Sequence, residues 1–147
     1  MPALVSRNAP ASPEVPSRQV KKIAERMLRE LKIESAELSI LLTDDATIRE
    51  LNREHRDKDK ATDVLAFPLM DPDDESLNTL DGGALGDVVI SLDTALLQAN
   101  QRGVDLIDEV RALLAHGLLH LLGYDHQTDA EELEMNQAAD KLVRATL

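Results

Sequence analysis

Apolar residues recur along the chain with two spacings, one typical of helices and one of strands. Spacings of three and four residues predict five helices, over about 17–31, 44–55, 93–102, 105–122 and from 128 to near the end. Alternating or continuous apolar runs predict strands near residues 4–5 and over 37–43, 63–68 and 86–91. This mixed order indicates an α+β fold in which about five helices pack against one small, mixed, four-stranded sheet.

Residues at the ends of these elements sharpen the prediction. Thr43 or Asp44 can cap the second helix, and Thr128 with Glu131 forms a capping box for the last one. Pro68 indicates an edge strand or a strand end. The candidate buried positions of the last helix are Leu133, Met135, Ala138, Leu142 and Val143.

The size of the chain fits one domain. Its 147 residues can bury about two-thirds of the surface that the unfolded chain exposes. Residues 1–147 are therefore expected to form a single domain, with residues 1–16 as a short strand plus a mobile arm. Residues 71–83 are rich in Asp and Glu and are expected to form an acidic loop.

Composition narrows the functional classes. No apolar run approaches the 18 or so residues needed to cross a bilayer, and residues 1–19 lack the apolar core of a secretory signal. The absence of cysteine excludes disulfides and thiolate metal sites. A cytoplasmic protein fits these features best.

Charge is distributed unevenly. The net charge is −12, which argues against a protein that grips nucleic acid over its whole surface. Residues 1–60 hold 12 Lys and Arg against 11 Asp and Glu, whereas residues 61–147 hold 4 against 17. An anionic partner is therefore expected at the N-terminal part of the chain, or at a site with its own positive charge.

Three of the four histidines lie within the run HGLLHLLGYDH, at residues 116–126. His116 and His120 are one helical turn apart on the longest predicted helix, so both imidazoles can reach one ion. Gly123 can end that helix and turn the chain back, which would bring His126 to the same ion. Three neutral imidazoles with an open fourth position are typical of a catalytic zinc site. A coincidental cluster is the simpler alternative, but burying unpaired imidazoles among leucines would be costly.

This spacing matches the metzincin protease pattern except at one position. Gly117 stands where the protease has its general-base Glu, which argues against peptide hydrolysis at this site. Glycine inside a helix costs about 1 kcal/mol relative to Ala. Either close approach of a strand to the helix or room for a bulky substrate would explain it.

The histidine run resembles the zinc-binding signature of the YbeY family of bacterial endoribonucleases. Two further segments agree in type and order, RDKDKATDVLAFP at 56–68 and GDVVIS at 86–91. The chain departs from the family at Ala66, usually Ser, and at Ala61, often Pro. The resemblance implies a metal-dependent ribonuclease that prefers single strands and acts in small-subunit ribosomal RNA maturation and ribosome quality control. It also implies zinc ligands His116, His120 and His126, with Arg56 and His116 as catalytic residues.

Cleavage of RNA places chemical demands on these residues. A guanidinium such as that of Arg56 can bind phosphate oxygens in pairs and offset charge in the transition state. The cations around it are nearly balanced by acids, so a solvated surface is the alternative for the flanking lysines. No residue is assigned as the general base. Attack by a metal hydroxide, attack by a 2′-OH nucleophile and substrate-assisted proton transfer all stay open. Phe67 and Tyr124 do not make a stacking platform, so a ribosomal subunit or an assembly factor is expected to present the RNA.

Two other classes of function remain as alternatives. One is a metallohydrolase of peptide or amide bonds, which Gly117 disfavours. The other is a non-catalytic ribosome-assembly factor in which the metal only stabilises the helix end. Neither a membrane nor DNA is expected as a partner.

Overall fold

Residues 3–8, 14–69, 83–125 and 127–147 are described by the computed structural model. They form, in chain order, β1 Ala3–Arg7, α1 Ser17–Glu30, β2 Glu37–Thr43, α2 Asp45–Arg56, β3 Val64–Pro68, β4 Ala84–Ser91, α3 Leu92–Arg102, α4 Leu106–Leu121 and α5 Asp129–Ala145. The predicted α+β class, with a mixed four-stranded sheet and five helices, is confirmed. Of the predicted acidic loop, residues 71–82 lie outside the described residues, as do residues 9–13 of the arm.

The sheet has the strand order β1-β2-β4-β3. Strands β1, β2 and β4 run parallel to one another, whereas β3 is antiparallel to β4. Strand β3 therefore lies at an edge, where Pro68 does not interrupt a ladder on its outer side. The edge position predicted from Pro68 is confirmed.

The two faces of the sheet are covered unequally. Helices α1, α4 and α5 bury the main core against one face, which includes Ala66 and Val88. The neighbouring residues Leu65 and Val89 point the other way, because side chains alternate along a strand, and they pack with Ile48 of α2. The long helix α4 thus lies on one face and α2 on the other.

Helix caps agree with the sequence patterns. The Asp44 side chain accepts a hydrogen bond from the Thr47 backbone N–H at 2.9 Å, and this bond lowers the pKa of the Asp44 carboxyl. The Thr128 hydroxyl accepts from the Glu131 N–H at 3.1 Å. The capping residues Asp44 of α2 and Thr128 of α5 are confirmed, and in the described structure the Glu131 carboxylate accepts from the Thr128 hydroxyl at 3.1 Å.

One predicted core position on α5 is wrong. Leu133 is 59% exposed, whereas Met135, Ala139 and Leu142 are each about 2% exposed. The buried residues recur at intervals of four and three, and Leu133 lies two residues before the first of them. Two residues turn a helix by about 200°, so Leu133 projects to the opposite side.

A candidate metal centre in a helix-lined cavity

A cavity with a volume of about 560 Å³ lies beside α4. Helices α3, α4 and α5 and the start of β3 form its walls. Its lining residues are Asp63, Val64, Gln98, Gln101, Arg102, Glu109, Ala112, Leu113, His116, His120, Glu132, Met135 and Asn136. Two of the three predicted metal ligands, His116 and His120, therefore open into one space.

The two histidines are the accessible positions in an otherwise buried stretch of α4. Residues 113–115, 117–119 and 121 are buried, whereas His116 and His120 are half-buried. Their separation of four residues places the rings one turn apart on the same side of the helix. The burial pattern and the spacing together direct both imidazoles towards the cavity.

A hydrogen bond fixes the tautomer of His116. Its Nδ1 lies 2.9 Å from the carbonyl oxygen of Ala112, one turn earlier in α4. Because a carbonyl only accepts, Nδ1 carries the proton and the neutral ring keeps its lone pair on Nε2. Metal-binding histidines commonly have this arrangement, in which the second nitrogen donates to a backbone carbonyl. His116 thus fits the role of a ligand for a divalent ion.

Helix α4 ends at Leu121, and Gly123 adopts the left-handed conformation expected of a helix-ending glycine. Gly123 has φ +96°, and the Gly123 and Tyr124 N–H groups donate to the carbonyls of His120 and Leu119 at 3.1 Å. His126 lies outside the described residues. Within the described ranges, no three His, Asp or Glu side chains are grouped to hold a metal ion. The three-histidine ligand set therefore stays a prediction.

Gly117 is required by packing between α4 and the sheet. A Cβ at this position would lie 2.7 Å from Cγ1 of Val88 and 3.2 Å from Cγ2 of Val64. Of the two explanations for Gly117, close approach of the strands accounts for the residue. A glutamate at 117 would collide with β4 instead of reaching the cavity.

Three carboxylates line the cavity, and the histidine pattern did not reveal them. Glu109 is 3% exposed and pairs with Nη1 of Arg102 at 3.4 Å. Asp63 accepts a hydrogen bond from Gln98 Nε2 at 3.2 Å and one from the Val64 N–H at 2.7 Å. Glu132 is exposed at the rim. Glu109 lies seven residues before His116, and this two-turn spacing is the sequence signal that could have placed it on the same helix face.

Arg56 lies at the outer edge of the sheet and is not among the residues that line the cavity. It is exposed at the end of α2, and its Nη2 donates to the carbonyl oxygen of Ala66 at 3.3 Å. Ala66 is two residues along β3 from Val64, which does line the cavity. The catalytic role assigned to Arg56 stays a prediction.

The other cations of α2 form exposed ion pairs. Arg49 Nε donates to Asp59 at 2.8 Å, and this hydrogen bond lowers the pKa of Asp59. Arg53 pairs with Glu50 one turn earlier. These pairs agree with a solvated mixed-charge surface around Arg56.

The two aromatic residues are engaged in packing. Phe67 belongs to the smaller cluster under α2 and meets the His55 ring edge-on at 5.2 Å between centroids. Tyr124 packs against the main core.

Comparisons with known proteins agree on one family. The family model described as Endoribonuclease YbeY matches residues 6–146. A relative from Sulfurihydrogenibium sp. (strain YO3AOP1), named Endoribonuclease YbeY, is 48% identical over 124 residues, covering 84% of this chain and 78% of the relative. The relative of the same name from Aquifex aeolicus (strain VF5) is 48% identical over 116 residues, covering 78% of this chain and 72% of the relative.

A solved structure supports the fold. The solution structure of TM1509 from Thermotoga maritima is 25% identical and superposes with a TM-score of 0.65. The match covers 97% of this chain and 89% of the other. The similarity therefore extends over nearly the whole chain.

Proposed function

Because the chain belongs to the endoribonuclease YbeY family, we propose that it is a metal-dependent endoribonuclease that hydrolyses phosphodiester bonds in single-stranded RNA. Its proposed substrate is small-subunit ribosomal RNA, processed in the cytoplasm during ribosome maturation and quality control. Its proposed partners are the small ribosomal subunit or an assembly factor. Among the described residues, no helix has the length and apolar character needed to cross a membrane.

The arrangement of His116 and His120 supports the metal-dependent site. Both line one cavity, and the Ala112 carbonyl orients His116 with Nε2 available as a ligand. We assign the ion to His116, His120 and His126. Zinc is the proposed metal, because an all-imidazole set with an open fourth position suits catalytic zinc.

The chain's own residues supply orientation, and the metal supplies charge. A divalent ion bound by the histidines would polarise the phosphodiester and acidify a water. Arg56 is assigned to bind a phosphate oxygen as negative charge develops, with guanidinium N–H groups other than the one that Nη2 donates to the Ala66 carbonyl. The Glu109–Arg102 pair keeps a buried carboxylate compensated at the far end of the cavity.

Packing at Gly117 argues against the peptide-hydrolase alternative. That mechanism needs a base at position 117, and the contact with Val88 leaves no space for one.

Cleavage of defined substrates tests the proposal. The purified protein is incubated with a single-stranded RNA, the same sequence as a duplex, and casein, each with and without EDTA. Bound metal is measured in parallel by elemental analysis. Cleavage of the single strand that EDTA abolishes and zinc restores is the expected result. A zinc-loaded protein that leaves every RNA intact would contradict an enzymatic role and favour the assembly-factor alternative.

A further inference from the structure

A second cavity, of about 380 Å³, lies between the start of α1, the first half of α4 and the end of α5. We call it the basic cleft. Its lining residues are Pro16, Arg18, Gln19, Lys22, Ile23, Arg26, Arg111 and Thr146. This lining holds four cations and no carboxylate, although the chain as a whole has a net charge of −12. We call the cavity beside α4 that His116 and His120 line the histidine-lined cavity. None of the residues that line it also lines the basic cleft.

Arg111 gives the basic cleft a buried donor with no acceptor. The residue is only 7% exposed, and its Nη1 donates to Asp108 at 2.6 Å. Its Nε is buried and has no hydrogen-bond partner in the described part of the chain. Leaving such a donor unsatisfied costs about 1–3 kcal/mol, and more when the group is charged. As the side chain stands, Nε is closed off from the cleft, so an anion there accepts this hydrogen bond once the Arg111 side chain turns towards it, which would complete the pairing of the guanidinium.

Helix α1 presents a row of cations to the same space. Arg18, Lys22 and Arg26 are spaced by four residues and line one face, and none of them forms an ion pair with another described residue. The helix begins at Pro16 without a side-chain cap and has no acidic residue in its first turn. The first turn itself therefore carries no negative charge against the positive end of the helix dipole.

The dimensions favour a polyanion over a single small anion. Arg18 and Arg26 are eight residues apart, which corresponds to about 12 Å along the helix. A row of this length exceeds one phosphate and suits consecutive phosphates of a nucleic-acid strand. The histidine-lined cavity cannot supply this attraction by itself, since Asp63, Glu109 and Glu132 face one arginine there.

We propose that the basic cleft binds backbone phosphates of the RNA substrate, with Arg111 Nε donating to one phosphate and Arg18, Lys22 and Arg26 contacting its neighbours. This inference rests on the proposed function, because it takes RNA as the ligand. The cleft then acts as an anchoring site that holds the strand while another part of it occupies the histidine-lined cavity.

Salt-dependent binding of RNA is the test. Fluorescence anisotropy measures the affinity of zinc-loaded protein for a labelled, 2′-O-methylated 12-mer, which resists cleavage, between 50 and 200 mM KCl. The main variant is Lys22→Gln/Arg26→Gln, and both side chains are exposed, so folding is preserved. The matched control, Lys32→Gln/Lys141→Gln, removes the same charge from exposed positions outside the cleft and outside the cation row of α1. Arg111→Met is a third variant whose folding is checked by circular dichroism.

The expected result follows from counterion release. Each contact between a cation and a phosphate adds about 0.7 to the slope of log affinity against log salt for a single strand. The cleft variant loses two such contacts. The factor by which its affinity falls between 50 and 200 mM should therefore be about sevenfold smaller than the factor for the wild type. The control variant should keep the slope of the wild type.

Three outcomes would overturn the proposal or separate it from the proposed function. Equal slopes in the cleft and control variants would overturn the RNA contact, even if the wild type cleaves RNA normally. The proposal would also be overturned if inorganic phosphate stabilised the wild-type protein more than chloride does at equal ionic strength, while the cleft variant bound RNA as tightly as the wild type. That result would identify a small-anion site. If the cleft variant loses salt-dependent binding but the wild type cleaves no RNA, the cleft assignment holds and the proposed activity fails.

Discussion

The α-carbon of Gly117 faces Val88 so closely that an added Cβ would lie 2.7 Å from the valine Cγ1. The long helix α4 thus meets strand β4 at a position where only a hydrogen atom fits. Because Val88 is branched at Cβ, its methyl group cannot rotate away freely. This contact fixes the distance between the sheet and the helix that carries His116 and His120.

Gly117→Ala should destabilise the protein, although Ala is normally the better helix former by about 1 kcal/mol. Overpacking typically costs about 1–3 kcal/mol, which outweighs that gain. Urea denaturation should show a lower midpoint, and adding Val88→Ala should restore part of the loss, despite the cavity it creates elsewhere. Additive effects of the two substitutions would show that the contact is not the cause.

Gly117→Glu should be at least as destabilising as Gly117→Ala, and the variant should not cleave casein. Zinc-dependent cleavage of casein by this variant would revive the protease alternative.

His120→Ala should release the metal. Loss of an outer hydrogen-bond partner typically lowers metal affinity about 10–100-fold, and loss of a direct ligand should lower it by more than about 100-fold. Elemental analysis after dialysis and an RNA cleavage assay check this together. The control is His55→Ala, which removes an exposed histidine whose ring contacts Phe67, away from the cavity. Full metal occupancy in His120→Ala would remove this residue from the ligand set.

Arg56→Ala should lower RNA cleavage by about 10²–10³-fold without changing metal content, if the guanidinium binds the reacting phosphate. Arg56→Lys should recover only part of the rate, because an ammonium lacks the planar pair of donors. Arg53→Ala is the matched control, since Arg53 is exposed on the same helix and pairs with Glu50. A parallel loss of metal and activity in Arg56→Ala would instead indicate a structural role at the edge of β3.

The cap of α2 should make a pH-dependent contribution to stability. The hydrogen bond from the Thr47 N–H lowers the pKa of Asp44 in the folded protein, so the capping contribution is present above the unfolded pKa of about 3.9. It is lost as the pH falls through the lowered folded value. Asp44→Ala should therefore lower the urea midpoint at pH 7, and the difference from the wild type should shrink near pH 3.

Asp44→Asn separates the hydrogen bond from the charge. An amide oxygen can accept from Thr47 but does not titrate, so this variant should retain its cap from pH 7 to pH 3. If the destabilisation caused by Asp44→Ala were constant over this range, the titration of Asp44 would not contribute to stability.

Local signals allowed most of the elements to be predicted, but they did not specify partners across the sheet. The α4 pattern placed His116 and His120 on one side because helical geometry depends only on spacing. The prediction that Leu133 is buried was wrong because its side chain is as apolar as those of the buried residues of α5. Only its position, two residues before Met135, places it on the exposed side. Helical spacing could place Glu109 on the face of His116, and close approach of a strand was one of two explanations for Gly117, but the partners Arg102 and Val88 come from other elements and were not specified by the local pattern.

The position of Arg56 shows a different limit. The family resemblance and the phosphate-binding chemistry of a guanidinium suggested Arg56 as a site residue, and its hydrogen bond reaches Ala66 in the edge strand. That contact depends on α2 covering the face of the sheet opposite α4, and this side cannot be read from the residues of α2 alone.

The strand order also determines when the sheet can form during synthesis. Strand β4 is the last to be made, yet it separates β2 from β3 in the finished sheet. Until residues 84–91 leave the ribosome, β3 lacks its native partner and β2 keeps an unpaired edge. Parallel pairings between distant segments also form slowly, because a long loop must close before they contribute stability. Just before β4 emerges, the nascent chain therefore exposes strand edges that the finished sheet covers, and α4, which follows β4 in the chain, has not yet been made.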